Sequence, residues 1–345
     1  MKKRVVLFVL TFLILGAGCS RKGPDYAFPD PEPEEPDVPA EEHNPAIVAL
    51  GWTNVGEEFG KLPSYLDVYR SPATLENKPA AAFIAVADLK GGAEWTLWSI
   101  KDLGKGSSES FRTPTEVGKS SGARVVMNGG YFYSSGGLNY SASLAYHDGT
   151  LYARNINYAS KDWVTIYYPT RAAFIEHGDG TFEAAWTYGS SDGHWVYPAP
   201  AENSWNKEPL PVPDASFPAG AETFEARTAI GGGPVLIQDG EIYNSYAAEM
   251  LEEGGIGPTL NNPHSAIGVT AQRKLIFFVC EGRNMTPKVA GFTTQEVADI
   301  LKSLGCIQAV NLDGGGSSCM LVNGKETIRP SDGVQRRVAS ALMIN

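Results

Sequence analysis

The chain has 345 residues, 43% of them hydrophobic and 10% aromatic, which is enough apolar material for a sizeable core and too much for a disordered chain. Its formal net charge is −11, with 28 Lys and Arg against 39 Asp and Glu, so the basic excess of a nucleic-acid binder is missing. Much of the net negative charge comes from one N-terminal segment, so the overall pI of about 5.0 carries no information about substrate.

In chain order, Lys2, Lys3 and Arg4 precede an apolar run from Val5 to Leu15 that is too short to span a bilayer comfortably. Gly16-Ala17-Gly18-Cys19 then resembles a bacterial lipobox, with Leu15 one place earlier than the usual leucine. The expectation is a signal peptide over residues 1–19, lipidation at Cys19, and an exported protein anchored to the cell envelope at its periplasmic or outer-membrane face. A plain secretory signal cleaved nearby is the alternative. Residues 20–45 are dense in Pro, Asp and Glu, notably from Pro29 to Pro39. Such a segment has little to bury and reads as a stiff, extended spacer.

Residues 46–345 read as a single domain. Strand patterns cover Ala81–Leu89, Trp95–Ile100, Ala123–Met127, Trp163–Tyr168, Thr181–Trp186, Val235–Gln238, Ala266–Thr270, Lys274–Cys280, Ala309–Leu312, Met320–Val322 and Val338–Ile344. Asp148-Gly149, Asp239-Gly240 and Asn323-Gly324 predict tight hairpin turns. One helix is strongly signalled. Thr293-Thr294-Gln295-Glu296 is a capping box, Val297, Ile300, Leu301 and Leu304 form an apolar face, and Gly305 is a stop. Thr113–Ser121 and Tyr246–Glu253 are weaker helix candidates. The segment from Trp186 to Phe217, rich in Pro, reads as an irregular insertion. Cys280, Cys306 and Cys319 match no metal spacing and allow one disulfide plus one buried thiol. The expected class is α+β, with mixed, largely antiparallel sheet and few helices.

Four polar clusters sit at the ends of apolar runs: Asn128-Gly129-Gly130-Tyr131-Phe132, Arg227 through Pro234, Glu281-Gly282-Arg283, and Asn311-Leu312-Asp313-Gly314-Gly315-Gly316-Ser317-Ser318. The last is the most informative. It places an amide, a carboxylate, a side-chain-free turn able to present N–H groups to an anion, and two hydroxyls at the end of a helix-supported strand. No Gly-x-Gly-x-x-Gly opens a helix and no Lys follows the glycines, so neither common nucleotide pattern is met.

Asn128-Gly129-Gly130-Tyr131-Phe132, Gly231-Gly232-Gly233-Pro234-Val235-Leu236 with Asp239-Gly240, Ser265-Ala266-Ile267-Gly268-Val269, Glu281-Gly282-Arg283, Asn311 through Ser318 and Arg336-Arg337-Val338-Ala339-Ser340-Ala341-Leu342 together resemble the phosphodiester glycosidase family over about 220 residues. Two departures stand out: His264-Ser265 where that family often has Arg-Thr, and Glu281 where an Asp is common. The resemblance implies hydrolysis of a sugar-1-phosphodiester, such as one of N-acetylglucosamine, at the glycosyl C–O bond, with a phosphoglycan or sugar phosphate as substrate. It nominates Asp313 and Glu281 as catalytic carboxyls. Arg283 and Arg336 become the phosphate candidates. Asn128 and Asn311 would orient sugar hydroxyls or a water, with Gly129, His264, Gly314, Gly315, Gly316 and Ser317 completing the substrate-binding set. No cofactor is evident.

Two other readings use the same residues. Asn311, Asp313 and Glu281 offer oxygen ligands to a divalent cation for a metal phosphoesterase. Alternatively Trp186, Trp195, Trp205, Tyr188 and Tyr197 form the sugar platform of a non-catalytic glycan-binding lipoprotein.

Overall fold

The computed structural model describes residues 43–251 and 259–345. The signal segment, Cys19 and most of the acidic spacer lie outside the described residues, as do Glu252 and Glu253 of the 246–253 helix candidate. His43–Asn345 forms one compact unit.

The fold is mostly β, with three α-helices among the described residues: Pro45–Ala49, Pro114–Ser121 and Thr294–Ser303. Three sheets carry it, and every pairing between their strands is antiparallel. The eight-stranded sheet runs, in spatial order, Thr53–Asn54, Leu66–Arg70, Ala82–Asp88, Lys274–Cys280, His264–Thr270, Cys306–Asn311, Val235–Gln238 and Glu241–Ile242. A seven-stranded sheet is centred on Thr228–Gly231, Arg171–Glu176 and Phe182–Gly189. A five-stranded sheet is centred on Val125–Asn128, between Met320–Val322 and Ser340–Ile344.

The continuous apolar run Lys274–Cys280 is explained by burial on both faces. Leu275, Phe277 and Val279 enter a core shared by all three sheets, beside Phe174, Trp186, Val310, Met320 and Leu342. Ile276, Phe278 and Cys280 point the other way, onto Val297, Ile300 and Leu301 of the helix Thr294–Ser303. Successive side chains alternate faces, so a strand buried on both sides shows no polar alternation. The capping box holds that helix as expected: the Thr293 hydroxyl accepts from the Glu296 N–H at 3.2 Å, and the Glu296 carboxylate accepts from the Thr293 N–H at 2.7 Å. Pro114–Ser121 is closed by the same device at Thr113 and Glu116. The three predicted hairpin turns have Asp148, Asp239 and Asn323 at positive φ, each followed by a positive-φ glycine.

Several expectations are corrected. Trp163–Tyr168 is not a strand. Asp162 accepts from the N–H groups of Val164 and Thr165 at 2.9 and 2.8 Å and rolls the segment into a loop. Trp163 and Val164 are left 78% and 82% exposed. Residues 246–250 form turns and not a helix. The first part of the supposed irregular insertion is regular hairpin, Phe182–Gly189 with His194–Tyr197. Cys280, Cys306 and Cys319 are all free and buried, and burial pushes each thiol up to about 12.

Candidate active site

The capped helix feeds Cys306–Asn311 into the eight-stranded sheet between His264–Thr270 and Val235–Gln238. This strand therefore has partners on both sides, and its end is fixed. Asn311 closes it. Its amide donates to the carbonyls of Gly233 and Leu312 at 2.9 and 2.8 Å and to the Tyr131 hydroxyl at 3.3 Å. Its Oδ1 lies 2.9 Å from His264 Nδ1.

Beyond it a cavity of about 1120 Å³ opens, with Asp313, Gly314, Gly315 and Gly316 in its wall beside Asn311, His264, Tyr131, Arg171, Arg283 and Arg336. Its size suits a substrate larger than a single sugar. Among the described residues, Asp313 is the carboxyl of this wall. Burial raises it to about 6, opposed by the Ser317 hydroxyl, the Arg336 charge and the Gly314 N–H. Ser317 is itself buried, and its oxygen accepts from Arg336 Nη1 at 3.3 Å. Asp313, Ser317 and Arg336 thus form one polar relay, although Ser317 does not reach the cavity wall.

The glycines are explained by what lies against them. A Cβ on Gly315, whose φ is +60°, would sit 2.8 Å from Arg283 Nη2, and one on Gly316 would sit 2.1 Å from Arg336 Nη2. Two guanidinium groups therefore lie on the bare turn. Arg336 is also held by Asp332 at 3.0 and 2.6 Å. Arg283 has only two long contacts, to Ser331 at 3.4 Å and Asn262 at 3.5 Å, and no ion pair among the described residues. It is the cation of this turn without a carboxylate partner. The expectation that all three glycine N–H groups serve an anion is narrowed. Gly314 N–H is taken by Asp313 and Gly315 N–H by the Pro263 carbonyl at 2.9 Å.

His264 is buried. Its two ring nitrogens face Asn311 Oδ1 and the Phe292 carbonyl, each at 2.9 Å. Burial holds its pKa below the ordinary value, and those two acceptors oppose the shift. Tyr131 donates to the Gly233 carbonyl at 2.6 Å, and burial with the nearby Asp313 keeps it protonated.

Besides Ser317, three nominated residues do not line the cavity. Glu281 is buried elsewhere as a clamp: its two oxygens accept from the N–H groups of Thr286 and Arg329, each at 3.0 Å. Asn128 and Gly129 are also away from the wall. The Asn128 amide donates to the Asp313 carbonyl at 2.7 Å, and its Oδ1 accepts from Ser265 Oγ at 2.6 Å and Cys319 N–H at 3.1 Å. The set Asn311, Asp313 and Glu281 therefore does not form a metal cradle, and no cluster of three His, Cys, Asp or Glu side chains suits a cation among the described residues. Of the five aromatics nominated as a platform, Trp186 and Tyr197 are fully buried, Tyr188 is buried, and Trp205 lines the cavity.

Two wall residues escape a reading of the sequence. Arg171 is 7% exposed; its Nη1 donates to the Glu249 carbonyl, its Nε is buried without a partner, and burial lowers it to about 10. Its one sequence signal is a charge heading the apolar run Ala172-Ala173-Phe174-Ile175. Asn262 belongs to a connection with no pattern at all.

A model of the phosphodiester glycosidase domain matches residues 121–345, well over half of the chain. The uncharacterized protein YomE, derived from the SPbeta prophage of Bacillus subtilis, is 36% identical over 120 residues, covering 35% of this chain and 18% of YomE. N-acetylglucosamine-1-phosphodiester alpha-N-acetylglucosaminidase of Mus musculus is 33% identical over 107 residues, covering 29% of this chain and 20% of the mouse protein. The matches thus span about a fifth of those relatives' length. The catalytic domain of the zebrafish enzyme of that name superposes with a TM-score of 0.56 at 20% identity, covering 89% of this chain and 94% of that one, a likeness of fold. With the glycine turn, its strand and its flanking residues all inside the matched segment, the chain belongs to the phosphodiester glycosidase family.

Proposed function

We propose that the chain hydrolyses a sugar-1-phosphodiester by breaking the bond between the anomeric carbon and the phosphate oxygen. The observation that carries this reading is the juxtaposition, in one cavity, of a carboxyl raised to about 6 with Arg283 and Arg336 across the glycine turn. Family membership and the similarity to the mouse N-acetylglucosamine-1-phosphodiester alpha-N-acetylglucosaminidase support the same substrate class.

In this reading the phosphate lies on Arg283 and Arg336, whose planar donors suit paired phosphate oxygens. As the C–O bond breaks, both electrons leave with the phosphate oxygen and positive charge spreads over the sugar ring. A phosphate monoester is a good leaving group and needs no strong acid. Asp313 is then free to act ionised, facing the oxocarbenium-like centre or the attacking water. Water oxygen ends on the anomeric carbon; one of its protons passes through Asp313 to solvent. The products are a free sugar and a phosphomonoester.

The test is hydrolysis of a panel of sugar-1-phosphodiesters, including that of N-acetylglucosamine, by the full chain in oxygen-18 water. Label is expected in the released sugar, and Asp313→Asn is expected to lower turnover roughly a thousandfold. Label in the phosphate would overturn C–O cleavage, and full turnover by the variant would remove Asp313 from the chemistry.

A further inference from the structure

A second pocket, of about 340 Å³, shares Tyr133, Ile156 and Tyr158 with the wall of the first. It is lined by Arg154, Asp102 and the pair Tyr133–Tyr140, whose rings stack 4.8 Å apart and 2° from parallel. Its polar groups are mostly spent. Asp102 accepts from the N–H groups of Gly104, Gly106 and Ser141 at 3.0, 2.9 and 3.1 Å. Asn155, also in the wall, gives its oxygen to Leu144 N–H and its amide to Thr187 and two strand carbonyls.

Arg154 is the exception. Its guanidinium makes no hydrogen bond and no ion pair among the described residues, and its Nε is buried without a partner. The absence of a side chain at Gly189 is what lets its stem lie there, since a Cβ would come 2.6 Å from Arg154 Cδ. An arginine fixed by packing, half-buried and without an anion, is a costly arrangement that an anionic ligand relieves. The phosphodiester reading does not use it. That linkage carries one negative charge, and Arg283 and Arg336 already stand at the catalytic turn.

We propose that this second pocket is an anion subsite, in which Arg154 binds a further negatively charged group of the same substrate while the flat tyrosine wall takes a sugar ring. The proposal rests on the phosphodiester reading for its substrate class and narrows it to phosphoglycans with at least two anionic groups. The further anion is a phosphate or a uronate carboxylate; both satisfy a guanidinium with paired oxygens.

Two measurements on the full chain test it. In the first, hexose 6-phosphate and a hexuronate are titrated calorimetrically into wild type, Arg154→Gln and Arg154→Lys. Saturable binding by one of them is expected in wild type, about tenfold weaker in Arg154→Gln, and partly restored in Arg154→Lys. In the second, kcat and KM are compared for sugar-1-phosphodiesters that are otherwise neutral or carry a second phosphate or carboxylate. Wild type is expected to prefer a doubly anionic substrate by about tenfold in kcat/KM, with the preference residing in KM and lost in Arg154→Gln. Which arm responds identifies the anion. Undiminished binding and preference in a folded Arg154→Gln, or neither in wild type, overturns the subsite. Absence of turnover of every diester overturns the phosphodiester reading instead, and the titration then decides the subsite alone.

Discussion

Asp313 is the residue whose titration tests the proposed chemistry. Its pKa is raised from the ordinary carboxylate value to about 6 because burial disfavours the charged form more than Ser317, Arg336 and Gly314 favour it. If the ionised carboxylate works, kcat/KM rises with pH through about 6 and levels off above it; a fall across the same range would make Asp313 an acid. The same shift fixes a sign for stability. A carboxyl bound more tightly to its proton in the folded state stabilises the fold at pH 4, and that contribution is lost as pH rises through 6. Asp313→Asn is therefore expected to gain about 1–3 kcal/mol over wild type at pH 8 and little at pH 4, in denaturant melts at the two pH values. Gly316 offers a second residue-scale test. Gly316→Ala puts a methyl into Arg336 and Asp332. It should raise KM for the diester at least about tenfold, with a smaller effect on kcat, if Arg336 holds the phosphate.

At the scale of elements, the residues assigned from sequence divide by what their backbone neighbours demand. Glu281 ends the strand Lys274–Cys280 with an acceptor pair already matched to two loop N–H groups, Thr286 and Arg329. Glu281→Gln replaces one acceptor by an amide that faces an N–H group. A loss of roughly 1–3 kcal/mol in stability is expected, with kcat within a few-fold of wild type at temperatures where the variant is folded. Loss of kcat without loss of stability would restore Glu281 to the chemistry. Its neighbourhood could not be read from the sequence: a carboxylate after an apolar strand looks the same whether it meets a substrate or a loop backbone. The helix Thr294–Ser303 was legible because its cap, apolar face and stop are local. The loop at Trp163 was not, because its apolar residues mimic a strand while Asp162 supplies the turn.

Across the whole molecule, the site stands where sheets meet, and Asn128 is one of the ties. It ends the central strand of the five-stranded sheet, yet its side chain bonds Ser265 in the eight-stranded sheet and the backbone of Asp313 and Cys319 around the glycine turn. Removing it orphans several buried groups at once. Asn128→Ala should cost about 3 kcal/mol or more in unfolding free energy and lower kcat together with stability. A variant of native stability would contradict this role.

The sequence alone determined the strand-rich plan, the capped helix, the hairpin turns, and the glycine turn with Asp313 and its two arginines as the place to look. The first three are written in residues near one another, through periodicity, caps and backbone requirements; Asp313, Arg283 and Arg336, far apart in sequence, were nominated together by the family resemblance. Only the tertiary structure decided that Glu281 and Asn128 serve backbone groups, that His264 is buried between two acceptors, and that Arg171 and Arg154 line cavities. Those assignments depend on which N–H or carbonyl from a distant strand arrives beside a side chain, and on whether water is excluded there. A polar residue's type fixes what it can bond; the packing of three sheets fixes what it meets.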